Sequence, residues 1–301
     1  MLNFEGKVVI VTGAGRGLGR AYSLALASRG ATVVAVDLGC DIQGQGQDSV
    51  YVDDVVDLIG DMGYQAVGHC LDARDRQQLD WLVADTVARF GRIDGLICNA
   101  GTLLAQNGIG SSSEQYRIQM ESVHYSTLEA VQAVWPQMKA QQFGRILVTG
   151  SISAMYGDER LTGYTCANLA NIGLALSLSR TSQEDGIHIN MICPSCYSRL
   201  TRQVSLPEGA DEMTPDLIVP AVLWLMSSKA PNGEMVVAGG GHYSLGALLE
   251  TDGIFLPLSQ QRPERFIQEW SRLKLMPKVR HYEHFKERLG MIIRWLIKQR
   301  A

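Results

Sequence analysis

KVVIVTGAGRGLG (residues 7–19) runs from an apolar, β-branched stretch straight into a glycine-rich turn and out into a helix-forming segment. That context says more than the glycines alone. A strand-to-helix turn aims backbone N–H groups and the positive end of the helix dipole at one spot, where residues without Cβ let a pyrophosphate approach. Gly13, Gly17 and Gly19 form a T-G-x-x-x-G-x-G pattern with Arg16 and Leu18 between them. The pattern predicts a dinucleotide site.

Outward from this turn, comparable apolar runs recur: TVVAVD (32–37), QAVGHCL (65–71), GLICNAG (95–101), RILVTGS (145–151), HINMICP (188–194) and EMVVAGG (234–240). Helix-length segments such as 18–29, 75–90 and 114–142 separate them. Near-continuous apolar strands alternating with helices mean βαβ units and a parallel sheet covered on both faces. The expected fold is α/β, a doubly wound Rossmann-type sheet of seven parallel strands with helices on both faces and a C-terminal helical extension. LGCDIQGQGQDS (38–49) reads as a loop. Residues 1–244 read as one dinucleotide-binding and catalytic domain, and 245–301 as a helical extension packed on it, its helices joined by Pro257, Pro263 and Pro277.

The strand ends carry polar groups. Asp37 closes the second strand about twenty residues beyond the glycines, where a carboxylate accepts from the adenosine ribose and repels a 2′-phosphate. NAD is therefore expected over NADP, although Arg16 could hold either a 2′-phosphate or the pyrophosphate. Asp72 and Ala73 follow the third strand, and Asn99, Ala100 and Gly101 follow the fourth, all at the edge where open α/β sheets bind ligands. Asp72 also suits a helix N-cap, and Asn99 a strand-end turn.

Composition narrows the classes further. The chain has 301 residues, 46% hydrophobic and 19% charged, enough for one large core. A net charge of −4 offers nothing to nucleic acid. The charge is uneven: residues 262–300 hold eleven Lys/Arg against four Asp/Glu, a local +7 that leaves −11 on residues 1–261. Such a tail suits packing on an acidic body or a partner subunit, or a basic rim for a phosphorylated substrate such as a CoA thioester. No apolar run reaches the roughly 18–20 residues of a membrane span, and no signal-like segment opens the chain. A cytoplasmic protein is expected. Six irregularly spaced cysteines read as reduced thiols, and Cys193-x-x-Cys196 lacks the second pair that a metal site needs.

T-G-x-x-x-G-x-G at 12–19, N-A-G at 99–101 and Ser151 followed thirteen residues later by Tyr164 together resemble the short-chain dehydrogenase/reductases. FEGKVVIVTGAGRGLGRAY (4–22), DLGCDIQGQGQDS (37–49), PSCYSRLT (194–201) and VAGGGHYSLGALLETDG (237–253) extend the similarity over nearly the whole chain. They resemble the branch holding the (3R)-hydroxyacyl-CoA and 17β-hydroxysteroid dehydrogenase part of peroxisomal multifunctional enzymes, with its single-domain bacterial relatives. The resemblance implies that Ser151 polarises the substrate oxygen and Tyr164 exchanges a proton with it, while hydride passes between the carbinol carbon and NAD. It implies that Thr201, in the segment opened by Pro194, contacts the nicotinamide carboxamide. It also implies a hydrophobic alcohol, ketone or acyl-CoA as substrate and a homodimer or homotetramer. From the residues alone, Ser151 equally suits a strand-terminal turn and Tyr164 a buried aromatic.

One position departs from the family pattern: Asn168 stands where Y-x-x-x-K carries lysine. The lysine holds the nicotinamide ribose and lowers the tyrosine pKa; asparagine can do the first but brings no charge. A tyrosine with pKa about 10 is roughly one part in a thousand phenolate at neutral pH, so alcohol oxidation suffers more than ketone reduction. Arg160 is the nearest cation in sequence that could replace it. His124 takes the place of the family's relay asparagine, as in the multifunctional branch, and suits either a relay role or a backbone-bonded helix histidine. Tyr197 replaces a glycine of that branch beside the nicotinamide. Three functions are compatible with this set: an NAD-dependent oxidoreductase, an NAD-binding isomerase, cyclase or dehydratase, and a silent partner subunit.

Overall fold

The β-branched runs become the strands of one sheet because their side chains are buried on both faces. The computed structural model describes residues 2–105, 110, 112–204, 208–274, 279–280 and 285–300. Its first unit spans Met1–Leu245. In chain order it contains β1 (Val8–Thr12), α1 (Gly17–Ala27), β2 (Thr32–Val36), α2 (Val50–Asp61), β3 (Ala66–His69), α3 (Arg76–Phe90) and β4 (Gly95–Cys98). There follow α4 (Ser113–Gln119), α5 (Ser126–Gln141), β5 (Gly144–Thr149), α6 (Ile152–Tyr156), α7 (Thr162–Ser182), β6 (Ile187–Ser195), α8 (Val219–Met226), β7 (Met235–Gly239) and β8 (His242–Gly246).

The sheet order is β3-β2-β1-β4-β5-β6-β7-β8, and β1 to β7 pair in parallel. Successive strand residues serve opposite cores: Val8 and Ile10 join α3, α5 and α7 side chains such as Leu82, Met138 and Ile172, whereas Val9 and Val11 join Tyr22, Ile59 and Val222 of α1, α2 and α8. Each fully buried aliphatic of this kind contributes about 1.5–3 kcal/mol. The order reverses between β1 and β4, which opens a crevice at their carboxyl ends.

Two expectations need correction. The sheet has eight strands rather than seven, because β8 returns from β7 through Gly240-Gly241 and His242 to Leu245 are all exposed, leaving no apolar run to read. The segment 114–142 is not one uniform α-helix: a π turn, Met120–Tyr125, lies between α4 and α5. Apolar spacing does not register a single widened turn. The hydroxyls of Ser126 and Thr127 donate to the carbonyls of Ser122 and Val123, at 2.7 and 2.8 Å, just after it.

The second unit, Gly246–Ala301, holds β9 (Glu250–Thr251), α9 (Pro263–Lys274), β10 (Val279–Arg280) and α10 (Phe285–Arg300). β9 and β10 pair antiparallel, and Phe255 stacks on Trp295 with ring centroids 4.7 Å apart. The expected junction at Pro277 and part of the basic tail lie outside the described residues.

Candidate active site

The glycine turn is built for close approach. Gly13 has φ 65°, and a Cβ there would meet the Ala100 backbone at 2.9 Å; a Cβ on Gly19 would collide with the Gly13 carbonyl. This interlock presses the start of α1 against the ends of β1 and β4. Thr12 Oγ1 accepts from the N–H groups of Asn99 and Ala100, at 3.0 and 3.1 Å, while Asn99 Nδ2 donates to the carbonyls of Thr12 and Gly13, at 3.3 and 3.2 Å. Asn99 thus holds two strand ends together. Helix α1 opens with neither a side-chain cap nor an acidic residue in its first turn, so its leading N–H groups and dipole suit a pyrophosphate. Gly19→Ala is expected to cost about 1–3 kcal/mol of stability, as overpacking does. A denaturation midpoint equal to wild type would show that the turn can yield.

A cavity of about 350 Å³ lies over this turn. Gly13, Arg16, Gly17 and Leu18 line one side of it, and Asn99, Ala100 and Gly101 another. Asp37, Asp72 and Ala73 line it as well. Asp37 accepts from the Gly15 and Gly39 N–H groups at 2.8 and 2.7 Å, one on each oxygen. A carboxylate has about four acceptor sites, so two remain for ribose hydroxyls. Arg16 donates to the Cys40 carbonyl at 2.7 Å and lies 3.7 Å from the Tyr51 ring centroid. Its guanidinium is therefore already partnered.

Asp72 is not a helix N-cap; Asp75 caps α3 by accepting from Gln77 and Gln78. Asp72 instead forks onto Arg74, at 2.6 Å for the shortest pair. Burial works to raise the Asp72 carboxyl, but the hydrogen bonds and charge of Arg74 outweigh it and hold the group below the ordinary carboxylate range.

The hydroxyl pair stands on neighbouring elements. Ser151, 8% exposed, is the N-cap of α6 at the end of β5, and its Oγ lies 2.9 Å from Ser153 Oγ. Tyr164, Asn168 and the unforeseen Asn171 recur at helical spacing on α7, and both asparagines are buried. Burial pushes the Tyr164 phenol above its ordinary value, against the opposing hydrogen-bonding influence of Asn168 and Ser151. Asn168 Nδ2 donates to the Tyr164 carbonyl at 2.9 Å. Arg160 is not among the strongest influences on the phenol; its backbone N–H donates to Asp158 in the preceding turn. His124 bonds a side chain rather than the backbone, with Nδ1 2.9 Å from Asn171 Oδ1.

Thr201 Oγ1 is engaged within its own segment, accepting from Ser198 N–H at 2.8 Å and within reach of the Cys196 and Ser198 carbonyls at 3.1 Å. Pro194 lies near the end of β6, paired in register with Ala238. Tyr197 donates its N–H to the Met213 carbonyl at 2.7 Å, and Arg202 lies over its ring. Neither Ser151, Tyr164 nor Asn168 lines the cavity, which belongs to the glycine turn and its surroundings. All six cysteines are free thiols; burial pushes Cys193 and Cys196 up to about 12 and about 11. Among the described residues there is no metal-binding cluster, and no helix is long and apolar enough to cross a membrane.

Besides Asn171, the sequence reading passed over Gln119 and Ser122. Gln119 Nε2 donates to Thr102 Oγ1 at 2.9 Å, and Ser122 Oγ lies 2.8 Å from the same hydroxyl, fixing the chain just after N-A-G. The sequence carries no signal for them, since residues at helical spacing around them, such as Gln115 and Ser126, are polar too.

A doubly wound sheet with a glycine turn at its switch point and a Ser–Tyr pair on the adjoining elements defines a Rossmann-type protein with a hydroxyl-based site. A family model described as short chain dehydrogenase matches residues 7–206, and the chain belongs to that family. It is 35% identical over 301 residues to peroxisomal multifunctional enzyme type 2 of Mus musculus, covering 99% of this chain and 40% of the mouse protein. The full-length enzyme of that name from Drosophila melanogaster superposes with a TM-score of 0.82 at 28% identity, covering 99% of this chain and 50% of the fly chain. A 7α-hydroxysteroid dehydrogenase complexed with NADH and 7-oxo glycochenodeoxycholic acid superposes at 0.72 with 26% identity, covering 79% and 95%. The chain thus spans half or less of the two multifunctional enzymes.

Proposed function

We propose that this chain is an oxidoreductase that uses NAD to interconvert a hydrophobic secondary alcohol and its ketone, of the 3-hydroxyacyl-CoA or steroid type. The observation that carries the reading is that Ser151, the N-cap of α6 after β5, and Tyr164 of α7 stand on the same sheet whose β1 and β2 ends carry the glycine turn and Asp37. The hydroxysteroid dehydrogenase named above, with its NADH and bile-acid ketone, supports both the cofactor and the substrate class.

A nicotinamide dinucleotide, when bound, supplies hydride transfer. Gly13, Gly17 and the α1 N-terminus would hold its pyrophosphate and Asp37 its adenosine ribose. Asn168 would hydrogen-bond the nicotinamide ribose. Ser151 donates to the substrate oxygen and polarises it, and Tyr164 gives that oxygen a proton or takes one from it. Because burial keeps the phenol protonated, the site as built favours the proton-donating direction, ketone reduction. Cytoplasmic location and assembly as a homodimer or homotetramer complete the proposal.

The test is calorimetric titration of the cofactor-free protein with NAD and NADH, followed by absorbance of reduced nicotinamide with 3-ketoacyl-CoAs and steroid ketones. Binding with turnover is expected. Binding without turnover would favour non-redox acid–base chemistry, and no binding a silent subunit. With Asp37 set against a 2′-phosphate and Arg16 already partnered, NADP is expected to bind at least about tenfold more weakly than NAD, a difference of about 1.4 kcal/mol. Equal dissociation constants would remove the assignment of Asp37.

A further inference from the structure

The bond between His124 and Asn171 carries information about where a proton sits. Asn171 Nδ2 lies 3.0 Å from the Val123 carbonyl, which can only accept. It also lies 3.4 Å from Thr127 Oγ1, whose own proton goes to that same carbonyl at 2.8 Å. Turning the amide over would set its oxygen against two acceptors. Oδ1 therefore faces the imidazole, and a ring nitrogen 2.9 Å from an amide oxygen must carry the hydrogen.

We infer that Asn171 is a positioning residue that holds His124 in its Nδ1–H tautomer and leaves Nε2 as the proton acceptor. Asn171 is 1% exposed, so water does not compete for the bond. The Nε2 atom has no hydrogen-bond partner among the described residues. Asn171 follows Asn168 by three residues and Tyr164 by seven on α7, which places the imidazole's orienting group on the element that carries the proposed acid–base residue. The π turn contributes as well, since Val123 and His124 both belong to it. Only the catalytic consequence, a histidine ready to accept a proton during turnover, rests on the oxidoreductase reading.

The experiment is NMR of the protein labelled with ¹⁵N-histidine, recorded where the ring is neutral, with His124→Gln identifying the signal. Wild type is expected to show a protonated Nδ1 and a bare Nε2, the less common tautomer of a free imidazole. Asn171→Leu is expected to release the ring to a mixture dominated by Nε2–H, and Asn171→Asp, which keeps an acceptor at this place, to retain Nδ1–H. A wild-type His124 in the Nε2–H form would overturn the inference even if no variant folds, as would an unchanged tautomer in a folded Asn171→Leu. The nitrogen signals do not depend on turnover, so failure of the oxidoreductase reading could not be mistaken for failure of this one. With turnover established, Asn171→Leu is expected to lower kcat about tenfold at unchanged KM, a small part of the 10²–10⁴ attributed to general acid–base catalysis.

Discussion

Tyr164→Phe is expected to lower kcat/KM for ketone reduction by about 10²–10⁴-fold, the usual worth of a positioned general acid. Burial raises the Tyr164 phenol and so holds its proton in place beside Ser151. Phenylalanine keeps the ring and its packing but removes the hydroxyl, so dinucleotide affinity and thermal stability should stay near wild type. Those two controls separate a lost proton donor from a damaged fold. A variant that reduces ketones at the wild-type rate would take Tyr164 out of the chemistry and leave Ser151 without its partner.

Asn168→Lys is the opposite experiment, a gain. Asn168 is 2% exposed and already donates to the Tyr164 carbonyl. An ammonium at the same place could keep that donor role while adding a positive charge beside the phenol. The charge favours phenolate, so the Tyr164 pKa should fall and the rise of oxidation rate with pH should begin at a lower pH. Each unit recovered corresponds to about 1.4 kcal/mol, or tenfold more phenolate at neutral pH. Alcohol oxidation near pH 7 is therefore expected to rise about tenfold or more, measured as a full pH–rate profile beside a melting curve. Unchanged or lower activity in a folded variant would mean that the site is organised around the asparagine.

Much of this architecture could be read from residue order. The apolar runs were legible as strands because both faces of the sheet are covered, as Val8 to Val11 alternate between two cores. The glycine turn was legible because its residues are chosen by contact: Gly19 has no room for a Cβ. The exposed β8 was not, since a hairpin strand that buries little has no hydrophobic signature. The sequence suggested Asp72 as a cap, and only the geometry gives that role to Asp75, whose carboxylate meets the first N–H groups of α3. The bonds made by Asn171 and Gln119 depend on which side chains meet across elements, and spacing along one helix carries no such information.

The widened turn at Met120–Tyr125 has a consequence for how this protein could change over generations. Each α-helical residue advances about 100° around the axis, so a turn holding one residue too many sets the rotational phase of α4 against α5. Upstream of the offset, Gln119 reaches the Thr102 hydroxyl; within it, His124 reaches Asn171. Losing one residue here would restore regular helix geometry locally, yet rotate one of these two attachments out of reach. Length in this short stretch is therefore constrained more tightly than residue identity: a lineage could exchange side chains along the turn far more easily than it could shorten it.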